Sequence, residues 1–426
     1  MPHRLHSTLL ACCLALCTAP PASADGQGDY QALSRLRGAA GLPGFSWNGQ
    51  LERAARDHVR YLLGNPEASH DQQAGTPGFT GEGPSERALH AGYPSTLVSE
   101  NLARGQPTME AALDSLMAAI YHRIGFLNFE VNEAGIASEP FRANALKNGR
   151  PLTPGAQVFA FELGNRTLSH LCSDPPPLDE GRFYRGACAD PEIKLGAKRY
   201  EQALAGPAMQ APEVVIWPPD GATDISPAFF HERPDPLPDR DVSGYPVSIH
   251  VNPYKVVQAR LLEIELRETD TGLPTRSTRL LDAASDPNGR MDTHTFALFP
   301  LDRLDWGREY EARARVNLDG RTEQILWRFR TRHLPRPGAT LRHNGEAFPV
   351  RGGEQFTLYV PPRTNAPRVG SLTMLFPEGS EVKSGFFDPN TLQLTVHGDH
   401  GARIRFESDN GHRFELHLRC DAVPSC

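Results

Sequence analysis

Two histidines and a glutamate in the first third of the chain, His70, His122 and Glu100, carry the side chains best suited to chemistry. Two neutral imidazoles can ligate a divalent ion such as zinc, and a nearby carboxylate can ligate it, accept a proton or orient a water. A catalytic zinc site usually has three protein ligands and an open position, and these residues would supply that number. The spacing alone is a weak indication, since no H-E-x-x-H motif occurs and a surface role is the ordinary expectation for any one of sixteen histidines.

Other kinds of chemistry find little support in the sequence. No G-x-S-x-G motif is present, and none of the seven cysteines stands in a setting that suggests a nucleophile. No C-x-x-C pair indicates a zinc ribbon or a redox motif. The formal net charge of −7, without a sustained basic block, argues against nucleic acid as a partner.

Helices and strands must hold these three side chains in place. Thr108 is a suitable N-cap for a helix with Glu110 in its first turn, and that helix is predicted to end at His122-Arg123. The other predicted elements are helices over 30–40, 51–62 and 85–91, in an otherwise loop-rich region 64–107, and strands over 134–138 and 157–163. Helices followed by strands favour an α/β/α layered domain that ends near Arg166.

Three neighbouring polar residues are given structural roles. His58 lies on the apolar stripe of the second helix, which is typical of a packing histidine rather than a ligand. Asn101 is expected to hydrogen-bond loop backbone beside Glu100. Arg123 is expected to pair with a carboxylate or to cap a chain end, without a catalytic role.

The remaining two thirds of the chain are predicted to be rich in β-strands. Residues 167–211 are predicted to be a connector that contains a short helix over 191–205. Short β-type runs separated by Pro and Asp clusters predict a β-sandwich over 212–333. A second, smaller β-domain is predicted over 336–426. The fold class is therefore α+β.

The N-terminus has the features of a signal peptide over 1–24. Arg4 supplies the positive charge, residues 9–16 supply a short apolar run, and Ala22-Ser23-Ala24 is a small-residue cleavage site. We expect cleavage after Ala24, export to the periplasm or the extracellular space, and no transmembrane segment.

Four cysteines remain after this cleavage, and an even count in an exported chain suggests disulfides rather than free buried thiols. Four cysteines allow three pairings. Short loops close most easily, which favours Cys172–Cys188 and Cys420–Cys426.

An ordered set of short motifs in residues 28–165 resembles the CAP superfamily of cysteine-rich secretory, antigen 5 and pathogenesis-related proteins, and its bacterial SCP-like branch in particular. Each motif is weak, but their order along about a third of the chain is specific. The matching pieces are Leu51 to His58, Ser69-His70, Glu86 to Tyr93, Ser99 to Ala103, His122-Arg123, Leu127-Asn128, Gly135-Ile136 and Phe159 to Gly164.

This resemblance implies an α/β/α sandwich over 28–166 with a central cleft lined by two histidines and two acids. By position the cleft residues are His70, His122 and Glu100, with His70 and His122 as metal ligands. The second acid is missing, because the helix before His122 carries none over 116–119. Neither Glu86 nor Glu110 is a clean substitute for it.

The segment 212–333 resembles immunoglobulin-like β-domains found after CAP domains in exported bacterial proteins. The residues behind this resemblance include Trp217 to Gly221, Pro234 to Pro238, Gly244 to Val247, Leu304 to Tyr310 and Trp327 to Thr331. Such modules bind or space more often than they catalyse.

Three functions follow as hypotheses. The first is a non-enzymatic exported protein that holds a small apolar or lipid-like ligand, or a divalent metal, in the cleft, while its β-domains bind a cell-envelope or protein partner. The second is a zinc-dependent hydrolase of peptide, ester or cell-wall bonds, with Glu100 as general base. The third is a structural envelope or adhesion module.

Overall fold

The computed structural model describes residues 24–141, 146–147, 150–151, 155–178, 181–230, 232–363, 366–421 and 425–426. The predicted signal peptide, apart from Ala24, lies outside these residues. Within them, no helix combines the length and the apolar character needed to cross a bilayer.

The N-terminal third combines helices with one four-stranded sheet. Its helices are α1 (Ala24–Ala39), α2 (Gly49–Gly64), α3 (Pro84–His90), α4 (Met109–Ala118), α5 (Ile120–Leu127) and α6 (Arg166–Ser173). Its strands are β1 (Ser46–Trp47), β2 (Val98–Gln106), β3 (Glu133–Pro140), β4 (Leu146–Lys147), β5 (Arg150–Pro151) and β6 (Gln157–Gly164). The sheet order is β1-β3-β6-β2, with β6 antiparallel to both of its neighbours.

The alternation of side chains along β6 separates two helical layers. Val158 and Ala160 pack with the apolar stripe of α2. Phe159 and Phe161 belong to the cluster that also holds apolar residues of α1, α4 and α5. Because successive strand residues point to opposite faces, the helices cover both faces of the sheet, as the predicted α/β/α layering requires.

Two predicted elements differ from the observed ones. The helix predicted from Thr108 to Arg123 is two helices, since Ala119 is extended (φ −88°, ψ 118°) between α4 and α5. Consequently His122 lies inside a helix instead of at its end. The region predicted as loop before Thr108 contains the strand β2, which places Glu100 within the sheet.

A connecting segment leads from the first unit to the β-rich remainder. It contains β7 (Phe183–Tyr184), β8 (Leu195–Gly196) and α7 (Ala197–Gln210), a helix that starts six residues later than predicted. The predicted disulfide Cys172–Cys188 is confirmed and ties α6 to this segment. The helix α6 itself was not predicted.

Residues 214–331 form a second unit of two four-stranded sheets. Its strands are β9 (Val214–Trp217), β10 (Ala222–Ile225), β11 (Ala228–Phe229), β12 (Ser243–Gly244), β13 (Val247–Val251), β14 (Ala259–Glu268), β15 (Thr278–Leu281), β16 (Thr295–Pro300), β17 (Glu309–Leu318) and β18 (Arg321–Thr331). The sheet orders are β10-β18-β17-β14 and β15-β16-β13-β9, and β11 pairs with β12. Trp327 and Val247, from different sheets, share one apolar core, which is typical of a sandwich.

Residues 338–419 form a third unit, also of two four-stranded sheets. Its strands are β19 (Gly338–Thr340), β20 (Glu346–Arg351), β21 (Phe356–Tyr359), β22 (Leu372–Leu375), β23 (Glu381–Asp388), β24 (Thr391–His397), β25 (Arg403–Ser408) and β26 (Arg413–Arg419). The orders are β19-β21-β24-β23 and β20-β26-β25-β22. The predicted disulfide Cys420–Cys426 is confirmed, and so is the α+β fold class.

The first and second units pack against each other around α5. Ala119 and Ile120 share a buried cluster with Phe229, Leu237 and Phe299 of the second unit. This packing explains the break after α4, because α5 turns its first residues toward the second unit. It also brings residues far apart in sequence close to His122.

Candidate functional site

The structure brings the two predicted cleft histidines together. The ring centroids of His70 and His122 lie 6.4 Å apart, with the ring planes inclined by 33°. His70 follows α2 in a loop, and His122 is the third residue of α5. The side chains are 39% and 16% exposed, so both imidazoles border solvent.

Glu100 lies behind His70 with no exposed side-chain surface. His70 Nδ1 donates to Glu100 Oε1 at 2.8 Å, and Arg87 Nη2 donates to Glu100 Oε2 at 2.7 Å. Burial alone would raise the pKa of Glu100, but the hydrogen bond from His70 and the positive charge of Arg87 lower it below its ordinary value. Glu100 is therefore an ionised acceptor whose two oxygens are both engaged.

Arg87 is a site residue to which the sequence analysis gave no role. It is 1% exposed, and its Nη1 donates to the backbone oxygens of His70 at 2.7 Å and Glu82 at 3.0 Å. One guanidinium thus fixes both the loop that carries His70 and the carboxylate that faces the His70 ring. The place of Arg87 in the Glu86 to Tyr93 motif is the signal that could have found it.

His58 is fully buried, as expected for a packing residue, but it also contacts the site. Its Nε2 lies 3.1 Å from the backbone oxygen of Ser69 and 3.6 Å from Glu100 Oε2, and its Nδ1 lies 2.9 Å from Gln72 Nε2. Burial lowers the pKa of His58 to about 4. A neutral His58 supports the strand and loop behind Glu100 without facing the cleft.

Glu162 of β6 lies opposite Glu100 in the strand pairing. Its side chain is buried between Glu100 and Arg87, whose Nη2 lies 3.8 Å from Glu162 Oε1. Burial first, and then the negative charge of Glu100, raise the pKa of Glu162 well above its ordinary value. Two adjacent buried carboxylates do not both ionise, so Glu162 is the protonated member of this pair.

An acid from the second unit occupies the position beside His122. Glu232 Oε1 accepts hydrogen bonds from His122 Nδ1 at 2.8 Å, from the backbone N–H of His122 at 3.0 Å and from that of Tyr121 at 2.8 Å. The Glu232 side chain has no exposed surface. Each cleft imidazole therefore has its own buried carboxylate, although the helix before His122 supplies none.

The two neighbours of the cleft residues have roles different from those expected. Asn101 Nδ2 donates to the backbone oxygen of His122 at 2.9 Å, so it joins β2 to a helix rather than to a loop. Among the described residues, Arg123 makes no hydrogen bond to a carboxylate, although the charge of Glu232 acts on it. It donates to the backbone oxygens of Met117 and Pro246 and to Ser248 Oγ, which links α5 to the second unit.

This arrangement determines which nitrogen atoms are available to a ligand. A carboxylate oxygen accepts, so each Nδ1 that faces one is the donor of that hydrogen bond. A ring with its proton on Nδ1 has its lone pair on Nε2. This orientation of a histidine by a carboxylate is the one found around protein-bound metals. No group of three or more His, Cys, Asp and Glu side chains in the described part of the chain is arranged to hold a metal. The described side chains therefore do not fit a three-ligand zinc site, and a cation held by the two imidazoles would need its remaining ligands from outside the chain.

A separate cavity lies on the same domain, away from the histidines. Its volume is about 330 Å³, and Trp47, Gln50, Glu133, Arg166 and His170 are among its lining residues. These side chains are mostly polar, so the cavity does not favour a lipid-like ligand.

Comparisons with known proteins agree with the predicted resemblance. Residues 30–145 match the model of the CAP family, described as the cysteine-rich secretory protein family. The comparison with curated proteins finds no match.

Solved structures with low similarity include an outer surface protein of Borrelia burgdorferi, 17% identical over 33% of this chain and 92% of that chain, with a TM-score of 0.27. An extracellular protein containing a SCP domain from Bacillus anthracis is 20% identical over 32% of this chain and 39% of that chain, with a TM-score of 0.25. Fibronectin(III)-like modules of CbhA from Clostridium thermocellum are 13% identical over 49% of this chain and 94% of that chain, with a TM-score of 0.16. At these sequence identities and TM-scores, the structural similarities do not support any inference about function.

Proposed function

We propose that this chain, whose residues 30–145 form a CAP domain, is an exported protein that binds a divalent cation through His70 and His122 without catalysing a reaction. The observation that carries the proposal is the pairing of each Nδ1 with a buried carboxylate, at 2.8 Å in both cases. A cation there would have two imidazole ligands and open positions for an outside ligand.

Export is supported by the two disulfides. Cys172–Cys188 and Cys420–Cys426 are both formed, and such bonds persist mainly in oxidising compartments. The periplasm and the extracellular space both meet this condition.

The hydrolase alternative requires Glu100 to accept a proton from a water. Its two oxygens already accept hydrogen bonds from His70 and Arg87, and its side chain has no exposed surface. A general base must reach the proton that it removes. The geometry therefore favours a positioning role for Glu100 and a binding function for the cleft.

Calorimetric titration of the purified, metal-stripped chain with zinc chloride tests the proposal. We expect one equivalent to bind the wild type and none to bind the His70→Ala/His122→Ala double variant. His90→Ala removes an exposed histidine of α3 and serves as the matched control, with unchanged binding. Absence of zinc binding by the wild type, or unchanged binding by the double variant, would falsify the proposal.

A further inference from the structure

We infer that the second unit supplies the fourth residue of the cleft: Glu232 positions His122 as Glu100 positions His70, so the binding site is complete only when the two units are docked. This inference rests on the proposed cation-binding function. It assigns to a residue outside the matched family region, which ends at residue 145, a part in the site itself.

The contacts of Glu232 satisfy the start of α5. The residue before this helix is Ala119, which offers no side-chain cap. Glu232 Oε1 instead accepts from the backbone N–H groups of Tyr121 and His122, two of the donors that a helix leaves free in its first turn. A carboxylate is favourable at this end of a helix because of the helix dipole. The same oxygen accepts a hydrogen bond from His122 Nδ1. A single carboxylate oxygen therefore both caps the helix and orients the His122 ring.

Glu232 lies in the electrostatic field of the buried Arg123 guanidinium, but its second oxygen, Oε2, is buried and has no hydrogen bond of its own among the described residues. A buried charge is costly unless an opposite charge compensates it. A cation held by the His122 ring would place positive charge beside this carboxylate, in the way that carboxylates behind metal-bound histidines do.

The position of Glu232 depends on how the second unit docks. Tyr121 OH hydrogen-bonds Asp286, and Asn288 Nδ2 donates to Tyr121 OH at 2.9 Å. Tyr245 OH donates to the backbone oxygen of Met117 at 2.9 Å. Together with the Arg123 hydrogen bonds, these contacts hold residues 117–123 against the second unit on both sides of His122. Cation binding at His122 and docking of this unit are thus coupled through the same few residues.

The test uses the full chain with three substitutions. Glu232→Ala removes the carboxylate, and Glu232→Gln keeps an oxygen acceptor without the charge. Asn288→Ala removes two other hydrogen bonds, to Tyr121 OH and to the backbone oxygen of Asp235, without touching His122. The first readout is the nitrogen chemical shifts of the His122 ring in metal-free protein at a fixed alkaline pH. The second readout is zinc affinity by calorimetry.

We expect the Nδ1-protonated form of His122 to dominate in the wild type and in Asn288→Ala, and to lose its dominance in Glu232→Ala. Zinc affinity should fall about 10- to 100-fold in Glu232→Ala, fall less in Glu232→Gln and stay near the wild-type value in Asn288→Ala. If Glu232→Ala fails to fold, the comparison is made with Glu232→Gln instead. A larger loss of zinc affinity in Glu232→Gln than in Asn288→Ala would then support the inference.

Two outcomes separate the inference from the proposed function. Unchanged nitrogen chemical shifts of the His122 ring in both Glu232 variants would overturn the inference, whether or not the protein binds zinc. Changed nitrogen chemical shifts of the His122 ring in the Glu232 variants would support the positioning role of Glu232. If the wild type at the same time binds no zinc, the cation-binding function is contradicted.

Discussion

Arg87 and Glu100 form the buried ion pair on which the position of His70 depends. Neither side chain has exposed surface, and the guanidinium also holds the backbone of His70. Arg87→Met should destabilise the fold by about 3–5 kcal/mol, because it leaves an uncompensated buried carboxylate. Denaturant unfolding measures this loss.

The control for Arg87 is Arg60, whose pair with Glu139 has a similar distance of 2.8 Å but an arginine side chain that is 60% exposed. Arg60→Met should cost less than about 1 kcal/mol, since exposed pairs contribute little. Equal losses in the two variants would argue against a compensating role for Arg87.

His250 of β13 should make stability depend on pH. Burial, followed by the charge of Arg123, lowers the pKa of His250 to about 3. In the unfolded chain His250 binds a proton below about pH 6.5, whereas the folded chain does not do so until about pH 3, so its contribution destabilises the fold progressively as pH falls between these values. The wild type should therefore lose more unfolding free energy than His250→Asn over this range.

The matching control for His250 is His343→Asn, at an exposed position. Denaturant unfolding at several pH values provides the comparison. His343→Asn should keep the wild-type pH dependence. A His250→Asn curve parallel to that of the wild type would show that His250 titrates normally in the folded chain.

Among the elements, β3 and α2 approach each other at Gly135. A Cβ atom placed there would lie 1.9 Å from the backbone nitrogen of Glu52 and 2.1 Å from the backbone carbon of Leu51. Gly135→Ala should cost more than about 3 kcal/mol, because backbone atoms cannot move aside as a flexible side chain can. Thermal or denaturant unfolding provides the measurement.

Gly385 of β23 is the control for this substitution, since a Cβ atom there meets nothing within 4 Å. Gly385→Ala should be neutral or slightly stabilising, by up to about 1 kcal/mol. A Gly135→Ala protein as stable as Gly385→Ala would mean that β3 and α2 are not so closely packed.

Elements with a strong local pattern could be predicted from the sequence. The apolar stripe from Leu51 to Leu62 predicts α2, and the alternation over 157–163 predicts β6 together with its two faces. The strand β2 could not be predicted, because it carries Ser99, Glu100, Asn101 and Arg104, whose partners lie elsewhere in the fold. The break at Ala119 has no glycine or proline to mark it, and its cause is packing against the second unit.

At the scale of the whole molecule, the second and third units are joined by a buried ion pair. Arg303 Nη1 and Nη2 donate to the two carboxylate oxygens of Asp388 at 2.7 Å each, and the guanidinium packs against the rings of Trp306 and Tyr359. Arg303→Met should loosen this junction, which would raise the radius of gyration in small-angle scattering and speed proteolysis between residues 332 and 338.

The control for the junction is Arg315→Met, which removes an exposed pair with Glu263 at 3.7 Å. It should leave both scattering and proteolysis unchanged. If Arg303→Met behaves in the same way, the two β-rich units are held together by contacts other than this ion pair.

Three of the four residues around the cleft could be predicted from the sequence, and the fourth could not. His70, His122 and Glu100 could be selected because the ordered motifs of a known family place them in one cleft. Glu232 could not be selected, because it follows His122 by 110 residues and lies in a different unit, where no local pattern distinguishes it from other acids. Its role depends on domain docking, which is a property of the folded chain.

Anomalous X-ray scattering from crystals grown with zinc tests the central claim most directly. The account predicts a zinc peak about 2.0–2.1 Å from Nε2 of both His70 and His122, with Glu100 and Glu232 behind the two rings. Zinc bound only elsewhere, or bound by Nδ1 after either ring has turned away from its carboxylate, would contradict it.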